Sequence, residues 1–440
     1  MKKKRWITLF LSALMLVGGV GCGGGSGVGK GGNTELTIWI TATNQPQYFL
    51  GWFKNAFETE NPNITLNFVT QSADKLSSGL DAALAGSNAP HMASTWGGSS
   101  LNGTLSGGNI LQIDDVMEKY EEHLIDAALL NKYEGHHYVA PIFGFTSPVV
   151  YYNKTVFDQN GWTAPSTYEE LKTLSQAITA IKTASGAQRY QTIVTGYTYH
   201  LMMAIHARTC TKEQLEKLAT ATSSDRGLYD APGFSNGFSW VEDMRDDKVL
   251  AENCSGYNEG TASNAFTLQS ALMIATTSLD LLELSNNAQF EIGAFLFPDA
   301  PEKYKPAYGA DATENGPVTG VYTDSFVINA NKSEAEIAAC KKVVDFLYGP
   351  AAQSKLFNYY LYPVRKDVGY EGVESANQAV FDSTMKGIYE RAKEDGMGIF
   401  YMTYFYKNGI MGNLESGVKQ VLNGFAAGVG YGSVKNFIDS

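Results

Sequence analysis

The stretch LTIWITATNQPQYFLGWFKNAFETENPNITLNFVTQSADKLSSGLDAALAGSNAPHMAST, residues 36–95, sets the fold class. Leu36 to Ile40 is a short apolar run of strand length. Phe49, Trp52, Phe53, Ala56 and Phe57 then recur at i, i+3, i+4, i+7 and i+8, the spacing of one helix face. Asn61-Pro62-Asn63 stops that helix, and Ile64, Leu66 and Phe68 alternate as a second strand. Leu76, Leu80, Ala83 and Leu84 mark a second helix ended by Gly86, and Met92 to Thr95 reads as a third strand. Strand–helix–strand–helix–strand predicts a parallel sheet covered by helices on both faces. Ligands of such sheets sit beyond the carboxyl ends of the strands, here Thr41 to Gln45, Gln71 to Ala73 and Trp96 to Ser99.

The same grammar continues downstream. Val149 to Tyr152, Ile193 to Thr195, Glu291 to Phe297 and Ser325 to Ile328 read as further strands. Thr167-Tyr168-Glu169-Glu170 and Ser333-Glu334-Ala335-Glu336 are capping boxes. They open helices whose apolar faces carry Leu171, Leu174, Ile178 and Ile181 in one case and Cys340, Val344 and Leu347 in the other. A helical stretch with Tyr and His follows Ile193 to Thr195.

Working back to the start, Lys2-Lys3-Lys4-Arg5 precedes an apolar run from Trp6 to Val20 and then Gly21-Cys22. A basic segment, a short apolar core and small residues describe a secretory signal over residues 1–21. The run is short for a permanent membrane span. Gly19-Val20-Gly21-Cys22 resembles a bacterial lipobox, with Gly19 where Leu is usual; the resemblance implies that Cys22 is lipidated and becomes the mature N-terminus. Residues 22–33 then form a lipidated Cys and a glycine-rich tether, reaching about 17–20 Å. Gly24 to Lys30 fits G-x-x-x-x-G-K but lacks the following Ser/Thr, strand and helix of a phosphate loop.

The 440-residue chain is globular in composition, 44% hydrophobic and 18% charged, and its length suggests two or three domains. A net charge of −12 argues against nucleic acid as a partner. Of the four cysteines, Cys340 shares an apolar helix face and reads as core, whereas Cys210 and Cys254 are as consistent with a disulfide as with two thiols. No H-E-x-x-H, C-x-x-C or G-x-S-x-G pattern occurs, and no cofactor or metal is expected. Asp114-Asp115 reads as a helix-start cap, His136-His137 as a loop pair, and Tyr359-Tyr360 lacks the added acidic or His ligands of a ferric site.

The order of several motifs over residues 34–440 resembles bacterial extracellular solute-binding proteins of the maltose-binding type, family 1. The motifs are Leu36-Thr37-Ile38-Trp39; Leu84-Ala85-Gly86 to Pro90, with His91 where Asp is usual; and Pro141-Ile142, Tyr151-Tyr152-Asn153-Lys154 and Pro165-Ser166-Thr167-Tyr168-Glu169-Glu170. Ala271-Leu272-Met273 follows, with Gln269 where Gly is common, then Val327-Ile328-Asn329, Asp345-Phe346-Leu347 and Tyr362-Pro363-Val364. The resemblance implies two α/β lobes with a hinge and an interlobe cleft: residues 34–147 with 299–349, and 148–298 with 350–440. It implies a monomeric, non-enzymatic receptor outside the cytoplasm that closes on a carbohydrate, an oligosaccharide above all, and delivers it to an ABC permease.

Sugars present C–H faces that stack on aromatic rings and hydroxyls that need directed donors and acceptors. On that chemistry the candidate ligand residues of the first lobe are Thr43, Asn44, Trp96 and Asp324. Asn44 and Asp324 are read as hydroxyl partners and Trp96 as a stacking ring. Those of the second lobe are Phe145, Tyr197, Tyr199, Thr277, Asp280, Arg365 and Tyr404. Trp96 is equally readable as core, Asp324 as a turn cap, Phe145 as hinge packing and Arg365 as half of an ion pair. Two other readings stay open: the same fold holding a polyamine or an anion, and a surface glycan-active or sensory protein.

Overall fold

A computed structural model describes residues 33–41, 44–76, 79–96, 101–125, 132–211, 213–215, 217, 225–305, 324–374, 377–393 and 409–440. Its strands are β1 (Thr34–Thr41), β2 (Ile64–Gln71), β3 (Met92–Thr95), β4 (Lys132–Tyr133), β5 (His136–His137), β6 (Ala140–Pro141), β7 (Pro148–Asn153), β8 (Gln191–Val194), β9 (Ala271–Thr277), β10 (Ile292–Phe295) and β11 (Ser325–Ile328). They form one sheet in the order β2-β1-β3-β11-β6, a second in the order β10-β7-β9-β8, and the hairpin β4-β5.

Both main sheets are mixed. β1 runs parallel to β2 and β3, as the opening stretch predicts. However, β11 is antiparallel to β3 and β6, and β7 is antiparallel to β9 and β10. The reason lies in connectivity: β11 enters the first sheet only after the chain has built the second, so no local strand–helix–strand crossover fixes its direction.

The helices bury the faces the sequence marks. In α1 (Asn44–Glu60), Phe49, Phe53 and Phe57 are fully buried. Phe346 packs edge-on against Phe53 and Phe57, with centroids 5.2 and 5.6 Å away. The stretch read as one helix from Leu76 to Leu84 is described as two short pieces, Ala73–Leu76 and Leu80–Ala85, which bury Leu76, Leu80 and Leu84. Both capping boxes form. Thr167 and Glu170 cap α2 (Tyr168–Ala180), and α3 (Thr198–Thr209), α4 (Pro232–Asp246) and α5 (Glu259–Thr267) follow. Ser333 and Glu336 cap α6 (Glu334–Leu347), and α7 (Ile410–Leu422) and α8 (Ala427–Asp439) end the chain. Cys340 is core, and burial pushes its thiol up to about 12. Cys210 and Cys254 are buried thiols rather than a disulfide.

The chain leaves the first sheet for the second beside the segment that holds Tyr362 to Val364. Residues 142–147 lead from β6 into β7. The Gly144 amide donates to the Tyr362 carbonyl at 2.6 Å, and the Ile125 amide donates to the Val364 carbonyl at 2.9 Å. A Cβ at Gly144 would meet the Pro363 carbonyl oxygen at 2.6 Å, so only glycine permits this approach. No described helix is long and apolar enough to cross a membrane.

Candidate functional site

The edges where ligands of such sheets bind meet at the short crossing segment. In the first sheet, Thr95 at the carboxyl end of β3 pairs with Ser325 at the amino end of β11, and Ser325 pairs with Pro141 of β6. Asp324 sits just before this row. It is 2% exposed, its carbonyl accepts from the Ile142 amide at 2.7 Å, and its carboxyl bonds the Thr41 side chain at the end of β1. Burial pushes the Asp324 carboxyl up to about 7, against the Thr41 bond, which favours the charged form. Trp96, half-buried, follows β3 directly.

In the second sheet, Pro148 at the start of β7 pairs with Thr277 at the end of β9. Ser147 and Ser278 exchange two bonds: the Ser278 amide to the Ser147 carbonyl at 2.8 Å, and the Ser147 amide to Ser278 Oγ at 3.1 Å. The Asp280 carboxylate accepts from the Thr276 hydroxyl, and from the Thr277 amide and hydroxyl at 3.2 Å each. Burial raises Asp280 to about 6, and the nearby Glu259 carboxylate adds to the rise against those hydrogen bonds. One end of residues 142–147 is thus bonded to Asp324 and the other to Ser278, which brings the two edges to one place.

Tyr197 and Tyr199 leave the carboxyl end of β8 and form a tilted pair, centroids 5.3 Å apart at 45°. The Tyr197 hydroxyl donates to Glu259 Oε2 at 2.8 Å. Glu259 reaches it because Gly196 carries no side chain; a Cβ there would meet the Glu259 backbone nitrogen at 2.5 Å. Burial raises both tyrosine hydroxyls, with the Glu259 carboxylate contributing. His200 lies edge-on to both rings, 4.2 Å from Tyr199, and burial holds it neutral, down to about 3.

The candidates therefore divide. Trp96 and Asp324 lie on the first edge, and Tyr197, Tyr199, Thr277 and Asp280 on the second. Thr277 is buried and serves with Asp280 as a cap. Phe145 is fully buried against Tyr362 and belongs to the crossing's packing. Arg365 is 6% exposed. Its Nε and Nη2 hold Asp367 at 2.8 and 2.6 Å, and its Nη1 donates to the Tyr348 carbonyl at 3.0 Å, so the guanidinium braces the chain instead of facing a ligand. Thr43, Tyr404 and Cys22 lie outside the described residues, as do the signal segment and nearly all of the tether; Asn44 opens α1, and its side chain is likewise outside them.

Sequence reasoning missed other polar groups here. The hydroxyls of Thr95, Thr146 and Ser325 are buried without hydrogen-bond partners among the described residues, as are both ring nitrogens of His200. Thr95, Thr146 and Ser325 adjoin Trp96, Phe145 and Asp324 in the chain, a signal available from the sequence. Glu259 had none, since only the fold brings α5 to Tyr197. Asp114, His136, His137 and Glu121 form a separate hydrogen-bonded cluster around the β4-β5 hairpin. Among the described residues no group of three or more His, Cys, Asp or Glu is placed to hold a metal ion.

A chain of Brucella abortus named as a binding protein is 26% identical over 347 residues, covering 76% of this chain and 77% of its own. Among solved structures, a chitin oligosaccharide binding protein superposes with TM-score 0.69 at 18% identity, over 92% of this chain and 98% of its own. The solute receptor AcbH, described as preferring galactopyranose, gives 0.72 at 16%, over 93% and 98%. The maltodextrin-binding MalE of Bdellovibrio bacteriovorus, solved with maltotriose, gives 0.64 at 18%, over 92% and 98%. At such identities the likeness establishes the fold, two α/β lobes about an interlobe cleft. The family described as bacterial extracellular solute-binding protein matches residues 52–380, three-quarters of the sequence, and the chain belongs to that family.

Proposed function

We propose that this protein is the extracytoplasmic, lipid-anchored receptor of an ABC importer, closing on a carbohydrate, an oligosaccharide above all, and delivering it to a permease. The carrying observation is the convergence on residues 142–147 of two unlike walls. One offers Trp96, Asp324 and the unpartnered hydroxyls of Thr95 and Ser325. The other offers the Tyr197–Tyr199 pair with Glu259 and Asp280. Flat rings with sparse, directed polar groups suit a ring-shaped polyol. The ligands named for the structural relatives, chitin oligosaccharide, galactopyranose and maltotriose, support the same class. In this reading residues 34–147 with 299–349 form one lobe and 148–298 with 350–440 the other. The protein acts as a monomer without cofactor or catalysis, and Cys22 carries the lipid.

The test is a thermal shift of the purified protein against chitin, malto- and xylo-oligosaccharides, galactose and polyamines. A ligand at about 100 times its Kd adds about 2.7 kcal/mol of apparent stability. Stabilisation by a sugar series is the expected result. One observation favours a second reading, a cationic solute: on the second wall the Glu259 and Asp280 carboxylates stand near the Tyr197 and Tyr199 rings, the surroundings an ammonium group prefers. A response to spermidine with none to any sugar would establish that reading and overturn the first.

A further inference from the structure

Three carboxylates reach the tyrosine pair of the second wall: Glu259, Asp280 and Glu415 each help to raise the Tyr197 and Tyr199 hydroxyls. Their surroundings differ. Glu415 pairs with Lys419 at 2.6 Å. The Asp280 carboxylate is occupied by the Thr276 and Thr277 hydroxyls and the Thr277 amide. Glu259, the exposed first residue of α5, accepts from the neutral Tyr197 hydroxyl through Oε2 and pairs with no basic side chain among the described residues. His200 touches both rings, but burial keeps its imidazole neutral, so it does not offset that charge. The wall therefore carries an uncompensated negative charge beside an aromatic ring, with Glu259 Oε1 open to a further donor.

A neutral sugar matches the rings and leaves the Glu259 charge unanswered. A linear polyamine answers the charge and has no rigid C–H face to lie on the rings. We infer that the ligand is an amino sugar whose protonated amine pairs with Glu259 beside the Tyr197 ring, with its pyranose face on the tyrosine pair. The inference rests on the carbohydrate reading above and narrows it to a cationic class. The bond between Tyr197 and Glu259 serves both contacts. A phenol that donates to a carboxylate gains electron density in its ring, which strengthens the pull of that ring on a cation. The ammonium brings three N–H donors, one of which suits Glu259 Oε1. An acetamide or a hydroxyl on the same carbon is uncharged and gains nothing from either partner. Glu259 is thus the residue that discriminates a charged sugar from its neutral analogues.

Two matched sets supply the test: trisaccharides of glucosamine, N-acetylglucosamine and glucose in one linkage, and the monosaccharides galactosamine, N-acetylgalactosamine and galactose. Within each set only the amine carries charge. Calorimetry is run on the purified protein at about pH 7, with spermidine alongside and Tm verifying that each variant is folded. In at least one set the wild type should bind the amine about tenfold more tightly than its neutral analogues. That advantage should shrink as salt rises from about 0.05 to 0.5 M. Glu259→Gln keeps an acceptor for the Tyr197 hydroxyl without the charge, and should bring the ratio to about threefold or less. Glu60→Gln, exposed at the end of α1, controls for net charge and should leave the ratio as it is. Neutral sugars bound by the wild type as tightly as their amines, or an amine advantage that survives Glu259→Gln, would overturn the inference and leave the carbohydrate reading standing. Binding of spermidine with no response to any sugar would overturn both.

Discussion

Phe145 lies flat on Tyr362, ring centroids 4.3 Å apart and planes 11° from parallel. Phe145 belongs to the segment that leads from the first sheet to the second and Tyr362 to the segment bonded beside it, and beyond them Tyr362 stacks on Tyr389 at 6.2 Å. Both are fully buried. Truncating Phe145→Ala removes the stack and leaves a void that rigid neighbours cannot fill. It should cost about 3–5 kcal/mol, read as a lowered urea midpoint. A loss under 1 kcal/mol would show that the crossing holds without the stack.

Asp324 makes stability depend on pH in an unusual direction. Its folded pKa, about 7, lies above the ordinary value of 3.8, so the folded protein binds the proton more tightly than the unfolded chain. Stability is therefore full below about pH 4 and falls as pH rises towards 7. Asp280, raised to about 6, adds to the same fall. Asp324→Asn keeps the shape without the charge. At pH 8 it should be about 2–4 kcal/mol more stable than wild type, with the two converging near pH 4. Parallel pH curves for the two proteins would refute the assignment.

The sequence made the strands and capped helices legible because each is a local matter. Alternation in Ile64, Leu66 and Phe68, or the Thr167–Glu170 box, needs no distant partner. The site was legible only where chain position and space coincide. Asp324 and Trp96 follow from strand ends. By contrast, Arg365, readable as half of an ion pair, does pair with Asp367 but is buried, which the sequence does not signal, and Glu259 comes to Tyr197 only because β8 and α5 meet across Gly196. Strand direction in the mixed sheets was hidden for the same reason.

One departure from the family pattern has a backbone cost. Gln269, where glycine is common, adopts φ +62°, the left-handed region that disfavours a side chain. Its amide donates to the Phe266 carbonyl at 2.9 Å, and its side chain gains a long bond from Asn153 Nδ2 to its Oε1 at 3.4 Å. Gln269→Gly should stabilise the protein by about 0.5–1 kcal/mol and raise Tm by about 1–2 °C in a calorimetric scan. A lower Tm would mean that the Asn153 bond outweighs the strain.

The anchor proposal has its own readout. If the Cys22 thiol carries lipid, cells fed an alkyne fatty acid should label the wild-type protein. Cys22→Ala should remove the label and move the protein from the membrane pellet to the soluble fraction. Persistent label on Cys22→Ala would place the lipid elsewhere.

Tyr197 offers two separable contributions, a ring for stacking and a hydroxyl held by Glu259 at 2.8 Å. Tyr197→Phe keeps the ring and releases the hydroxyl, leaving the Glu259 carboxylate to solvent, where it is already exposed. Tyr197→Ala removes both. If the ring stacks on a sugar face, Tyr197→Ala should weaken binding by about 1–2 kcal/mol, or 5- to 30-fold, while Tyr197→Phe stays within about threefold. Titration calorimetry with the sugar found in the panel reads both. If the bond to Glu259 instead sets the ligand's position, the two variants should lose affinity equally, and Glu259→Gln should match them. For a cationic ligand, Glu259→Gln should exceed Tyr197→Phe, because it removes the charge while the tyrosine change leaves that charge in place. The ordering of the three variants therefore separates a stacked sugar from a hydrogen-bonded one and both from an ammonium ion.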